Sequence, residues 1–123
     1  MECWNLISNV KMKSFNFKCG WNNFQSTKDS KFLFMSCDIG KMLQWNTQTA
    51  QNEHIYDCGQ NVICTMIVTF DDNYILANND KGFLFIFDLV SKKEVSKIKL
   101  STSKNAGWHI FKISQDDNYA IVS

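Results

Sequence analysis

Two stretches decide the fold: Lys31-Phe-Leu-Phe-Met-Ser-Cys-Asp-Ile-Gly-Lys-Met-Leu-Gln-Trp-Asn46 and Asn73-Tyr-Ile-Leu-Ala-Asn-Asn-Asp-Lys-Gly-Phe-Leu-Phe-Ile-Phe-Asp88. They align without a gap, and Asp38 to Asp80, Gly40 to Gly82 and Trp45 to Phe87 all share an offset of 42. A third copy ends the chain. Asp116-Asp-Asn-Tyr-Ala-Ile-Val-Ser123 repeats Asp71-Asp-Asn-Tyr-Ile-Leu-Ala-Asn78 at an offset of 45. A fourth opens it, where Trp4-Asn-Leu matches Trp45-Asn-Thr and Phe87-Asp-Leu, 41 residues before Trp45. A fixed period of this length is the mark of a repeat architecture.

Within each period the segments read as strands. They are short, apolar and rich in β-branched and aromatic residues, and polar turns separate them. Asp38-Ile-Gly40 and Asp80-Lys-Gly82 are expected hairpin turns, with glycine supplying positive φ. Four strands per period follow. The spacing predicts strand a near Asn23–Thr27, Ile63–Phe70 and Trp108–Ser114. Strand b is expected at Lys31–Ser36, Tyr74–Asn78 and Tyr119–Ser123, and strand c at Met42–Asn46, Phe83–Asp88 and a remnant, Cys3–Leu6. Strand d is expected at Val10–Phe15, Glu53–Tyr56 and Glu94–Leu100. No helical stripe is visible.

On these residues the chain resembles the WD (tryptophan-aspartate) repeat family of β-propellers, whose blades have four antiparallel strands. Asp38-x-Gly40 followed by Trp45-Asn46, and Asp80-x-Gly82 followed by Phe87-Asp88, resemble that family's D-x-G-x-x-x-x-W-D stretch. The Asp-Asp-Asn-Tyr turns resemble its turn before strand b. The family's Gly-His pair before strand a is absent, with Gly20-Trp21, Gly59-Gln60 and Gly107-Trp108 near its place. The resemblance implies an all-β, partial propeller over 1–123. Its expected parts are a partial blade 1–16, blades 21–57 and 62–100, and a partial blade 107–123. That is about three repeats' worth, fewer than the roughly 4–8 blades of a closed ring. The expectation is therefore a piece of a longer propeller, or a chain that closes by self-association. Asp38, Gly40, Trp45, Asp80, Gly82 and Phe87 are the structural repeat residues.

Composition narrows the function. The 123 residues are 45% hydrophobic and 20% charged, with a formal net charge of +1. These are globular values, without a field to steer nucleic acid or an acidic membrane. All 13 basic residues are lysine, so the bidentate fork that grips phosphate is lacking. No apolar run is long enough to span a bilayer, and Met1 to Val10 does not read as a signal peptide. Five cysteines, Cys3, Cys19, Cys37, Cys58 and Cys64, form no C-x-x-C pair and read as reduced thiols of a cytoplasmic protein. A cytoskeletal or ciliary association stays open.

No constellation of catalytic groups stands out. Asp38 and Asp80 lie one repeat apart, so turn capping outweighs paired acid–base work. Cys37, His54, Cys58 and Cys64 fall on different strands and loops, which opposes a metal site or a Cys/His nucleophile. Lys97 and Lys99 alternate with Ile98 and Leu100 on the outermost strand, where lysines guard a sheet edge. The expectation is a non-catalytic protein-interaction scaffold without cofactor, nucleic acid or membrane insertion. Its partner face is expected in the loops joining strand d to strand a, with Trp21, Asn105, Trp108 and His109 as candidates. A second reading is a fragment of a propeller enzyme whose active site lies on missing blades. A phosphoinositide-binding propeller is a third, opposed by the absence of arginine.

Overall fold

A computed structural model describes residues 2–14, 23–37, 40–100 and 111–122. Twelve strands occur among them, and no helix. The central ones form two four-stranded antiparallel sheets. The first comprises β3 (Phe24–Ser26), β4 (Phe32–Cys37), β5 (Lys41–Asn46) and β6 (Gln51–Asp57) in sequential order. The second comprises β7 (Ile63–Val68), β8 (Tyr74–Asn79), β9 (Phe83–Asp88) and β10 (Lys93–Lys99). They correspond to strands a, b, c and d of two successive repeats. Two two-stranded sheets flank them: β1 (Glu2–Asn5) with β2 (Val10–Ser14), and β11 (Phe111–Ile113) with β12 (Ala120–Val122). The architecture is that of a partial β-propeller.

The repeat extends to hydrogen-bond register. Strand b meets strand c with Leu33 opposite Trp45 in the first sheet and Ile75 opposite Phe87 in the second. Each c–d pair has its register shift at the same place on strand c, after Cys3, Gln44 and Ile86. The turn leading into strand d is built alike three times. The side-chain oxygen of Asn5 accepts the N–H groups of Ile7 and Ser8, that of Asn46 those of Gln48 and Thr49, and that of Asp88 those of Val90 and Ser91. A left-handed residue closes each turn: Asn9 (φ 53), Ala50 (φ 56) and Lys92 (φ 59). The conserved chemistry of the repeat is thus an Asx turn, which needs Asn or Asp at the end of strand c.

The main core lies between the two complete blades. Phe34, Met42, Tyr56 and Cys58 of the first face Ile63, Met66, Ile75, Ala77, Phe85 and Phe87 of the second. The rings of Tyr56 and Phe87 lie 5.1 Å apart at a tilt of 57°, a favourable aromatic geometry. The opposite face of the first blade gathers Met35, Leu43 and Trp45. That of the second gathers Leu76 and Leu84, with Ile67, Ile86, Leu100 and Ile113 against them. Strands b and c are therefore apolar on both faces, as strands sandwiched between neighbours must be.

Candidate functional site

At one end of the blades, the b–c turns and the d–a loops are tied together. Gly40 (φ 70) and Gly82 (φ 73) adopt the left-handed conformation their turns require. The Gly40 carbonyl accepts the N–H of Cys58 at 2.7 Å, and the Gly82 carbonyl accepts that of Leu100 at 2.8 Å. A Cβ on Gly40 would lie 2.0 Å from the Gly59 carbonyl oxygen and 2.8 Å from that of Asn61. The second turn is reinforced by the Asn79 side-chain carbonyl, which accepts the N–H groups of Lys81 (3.1 Å) and Phe83 (3.0 Å). The N–H of Asp80 donates to the Val62 carbonyl at 3.0 Å.

These anchors present loop 57–62 outward. Asp57, Gly59, Gln60 and Val62 are exposed, while Cys58 and Ile63 are buried beneath them. Asp57 pairs with Lys41 and accepts the Gly59 N–H at 2.8 Å. The Lys41 hydrogen bond, then that of Gly59, hold its carboxyl below the usual range. Burial pushes the Cys58 thiol up to about 12, with the Asp57 carboxylate adding to it. Burial and then Asp80 raise Cys64 as well. Both sulfurs are held as thiols at neutral pH, the weakly nucleophilic form.

The opposite end carries residues whose role the sequence does not announce. Each a–b turn hydrogen-bonds a hydroxyl to a carboxylate: Thr27 to Asp29 (2.6 Å), Thr69 to Asp71 (2.6 Å) and Ser114 to Asp116 (2.5 Å). The residue after each of these carboxylates closes the turn with positive φ, at Ser30 (59), Asp72 (58) and Asp117 (58). The carboxylates of Asp72 and Asp117 then reach the preceding blade. Asp72 accepts the Lys28 N–H, and Asp117 accepts the N–H groups of Phe70 (2.8 Å) and Asp71 (2.9 Å). The Asp71-Asp72 and Asp116-Asp117 pairs are the signal that could have found them, since one carboxylate suffices for each turn. Nearer the blades' inner strands, the Asn23 side chain donates to the Cys64 carbonyl at 2.7 Å and ties β3 to β7.

Among the sequence-designated residues, Trp45 and Phe87 occupy the same position in their blades, at 0% and 3% exposure. Gly40, Asp80 and Gly82 lie in the b–c turns. Asp38 and the four candidate partner-face residues, Trp21, Asn105, Trp108 and His109, lie outside the described residues. Lys97 and Lys99 do sit on the exposed strand d, and they also make contacts unforeseen from sequence. Their ammonium groups lie 4.7 and 4.1 Å from the centroid of the Phe83 ring, within cation–π range. Among the described residues, no group of three or more His, Cys, Asp or Glu side chains converges as metal ligands would.

No family model and no curated protein sequence matches the chain. Solved structures do. The WD40 repeats of RRP9 superimpose with a TM-score of 0.64 at 11% identity, over 69% of this chain and 27% of that one. U3-55K gives a TM-score of 0.64 at 11% identity, over 69% of this chain and 28% of its own. The chain thus spans little more than a quarter of the length of these structures. At this identity the likeness establishes fold: the blades are those of a WD40-type propeller.

Proposed function

We propose that this array of WD40-type blades is a non-catalytic scaffold that binds protein partners through the end bearing the d–a loops. The observation that carries the reading is the doubled anchor there, Gly40 to Cys58 and Gly82 to Leu100. Binding residues work best on loops held by a rigid support, and each loop here is fastened to the turn beside it. The exposed Asp57, Gln60 and Val62 offer mixed polar and apolar contacts. Trp21, Asn105, Trp108 and His109 are proposed as anchors from the equivalent loops, on their position in the repeat. The high-lying thiol pKa of Cys58 supports a structural rather than nucleophilic role for that cysteine. The step from fold to binding is one of analogy.

The test is affinity capture with the native-length protein carrying Gln60→Ala with Val62→Ala, Trp21→Ala or Trp108→Ala. Lys97→Ala with Lys99→Ala on the outer strand is the control, and folding of every variant is verified by circular dichroism. Loss of captured protein in the loop variants, with retention in the lysine control, supports the reading. Loss confined to the lysine variant would place the partner on the outer edge instead.

A further inference from the structure

The outermost strands of the two complete blades carry their charges differently. On β6, Glu53 is held by the Asn46 amide at 2.6 Å and by Lys92 at 3.8 Å, and Asp57 pairs with Lys41. On β10, Lys97 and Lys99 are exposed, and among the described residues no carboxylate lies within ion-pair distance of either. Glu94, the one acid of that strand, lies beyond its register shift. The two ammonium groups are nonetheless held in place. That of Lys97 lies 4.7 Å from the Phe83 ring and 5.1 Å from the Phe85 ring. That of Lys99 lies 4.1 Å from the Phe83 ring and donates to the Lys81 carbonyl at 3.3 Å. Lys81 adds its own ammonium beside Asp80, at 3.9 Å.

The backbone is open at the same two residues. Among the described residues β10 pairs with β9 alone. The Leu100 N–H donates inward to the Gly82 carbonyl at 2.8 Å. Inward and outward backbone groups alternate along an antiparallel strand. Ile98 therefore faces β9 as well, while Lys97 and Lys99 turn their N–H and C=O groups to the free edge. These two lysines stand opposite Phe85 and Phe83, in the pairs of closest side-chain approach, which is how each ammonium reaches a ring. Outward backbone groups and uncompensated charges thus repeat together every second residue, about 7 Å apart.

We propose that this edge of β10 binds an acidic extended segment of a partner protein, which adds as a further strand with Asp or Glu at alternate positions. Strand addition satisfies the outward backbone groups of Lys97 and Lys99. The alternate side chains of the added strand then fall on the side of the two ammonium groups, at the same spacing. Lysine meets a carboxylate as a point charge, so no arginine fork is required. The Phe83 and Phe85 rings hold the ammonium groups before the segment arrives, which lowers the cost of ordering them. A second β10 would set lysine against lysine, which opposes pairing. The surface is separate from the d–a loops and takes a different partner from theirs.

Fluorescence anisotropy on the native-length protein tests this with two labelled peptides of one composition. One alternates glutamate with threonine and valine, and the other has its glutamates contiguous. The alternating peptide should bind more tightly than its isomer, and added salt should weaken it. Lys97→Gln with Lys99→Gln should weaken it about tenfold, as the loss of two exposed ion pairs would. Lys93→Gln, at the other end of the strand, should leave it unchanged. Lys97→Glu with Lys99→Glu should instead bind the alternating peptide made with lysine in place of glutamate, which also shows that this variant folds. Equal affinity for the two glutamate peptides, or for the parent and Lys97→Gln with Lys99→Gln, would overturn the proposal. So would displacement of the peptide by an equal concentration of inorganic phosphate, which would make the patch a site for free anions. A parent protein that self-associates, and that the lysine substitutions make monomeric, would give the edge to a second copy and overturn it too.

Discussion

The carboxylate of Asp72 receives the backbone N–H of Lys28 on both its oxygens, at 3.0 and 2.9 Å, across the gap between two blades. Asp117 repeats the contact one blade on, with Phe70 and Asp71 as donors. These two aspartates sit in the left-handed conformation, which Asp tolerates better than most residues. The turn therefore needs no glycine, and its side chain is free to link neighbouring blades.

Replacing Asp72 by Ala should lower stability by about 1 kcal/mol, for the loss of a charge-assisted hydrogen bond at a partly exposed site. Asp72→Asn keeps an acceptor and the tolerated backbone, so it should lose less. Urea denaturation of the three proteins measures this. Equal stability of Asp72→Ala and the parent would remove the clamp from the account.

Acid should weaken all three a–b turns together. The Ser114 hydroxyl, then the side-chain and backbone amides of Asn118, bring the Asp116 carboxyl down to about 2. The Thr69 hydroxyl and the Asn73 N–H lower Asp71, and the Thr27 hydroxyl and the Lys31 N–H lower Asp29. A carboxyl with a depressed folded-state pKa stabilises above its unfolded value, about 3.9, and loses that contribution as pH falls through the folded one. The denaturation midpoint should drop between about pH 4 and pH 2, and Asp116→Asn should flatten the slope. A midpoint constant over that range would contradict these contacts.

Trp45→Ala and Phe87→Ala should each cost about 3–5 kcal/mol, the usual loss for an aromatic ring in a close-packed core. Both rings are buried, one with Met35 and Leu43, the other with Tyr56 and Phe85. Differential scanning calorimetry should show both variants unfolded or nearly so. A change within about half a kcal/mol, typical of surface positions, would break the equivalence.

The two glycines at the anchored loop should differ in tolerance. Gly59→Ala makes only an ordinary contact, with the Asn61 side chain 3.9 Å away, and bears the left-handed strain at φ 84, about 1–2 kcal/mol. Gly40→Ala adds overlap with the Gly59 and Asn61 carbonyls and should cost about 3 kcal/mol or more. Thermal melts of the pair decide it, and Gly40→Ala as benign as Gly59→Ala would mean the loop is not seated on the turn.

Reactivity should follow the thiol environment. Cys58 is fully buried with its pKa pushed up to about 12, whereas Cys37 is partly exposed. At pH 8 a thiol reagent should modify Cys37 quickly and Cys58 only on unfolding, which peptide mapping after timed quenching would show.

The strands and turns were legible because their causes are local. Asn46 and Asp88 make their turns with N–H groups two and three residues on, and Gly40 and Gly82 supply a backbone conformation within a single residue. Such signals recur with the period, and the period itself, from Trp4 to Asn118, set the blade pattern. The candidate site was legible only as a place between strands d and a. What occupies that place depends on carbonyls and amides far apart in sequence.

Tertiary structure alone decided which face of each strand meets which neighbour. In Phe32–Cys37 and Phe83–Asp88 the residues on both sides are apolar, so alternation carries no sign to tell the Phe34 side from the Trp45 side. Only the stacking of the second blade on the first assigns Phe34, Met42 and Tyr56 to the shared core. The same holds for Asp72: its sequence predicts a turn, and the nearness of Lys28 on another blade makes that turn a link. Local chemistry sets the repeat, but a contact between repeats exists only once folding brings two distant segments of the chain side by side.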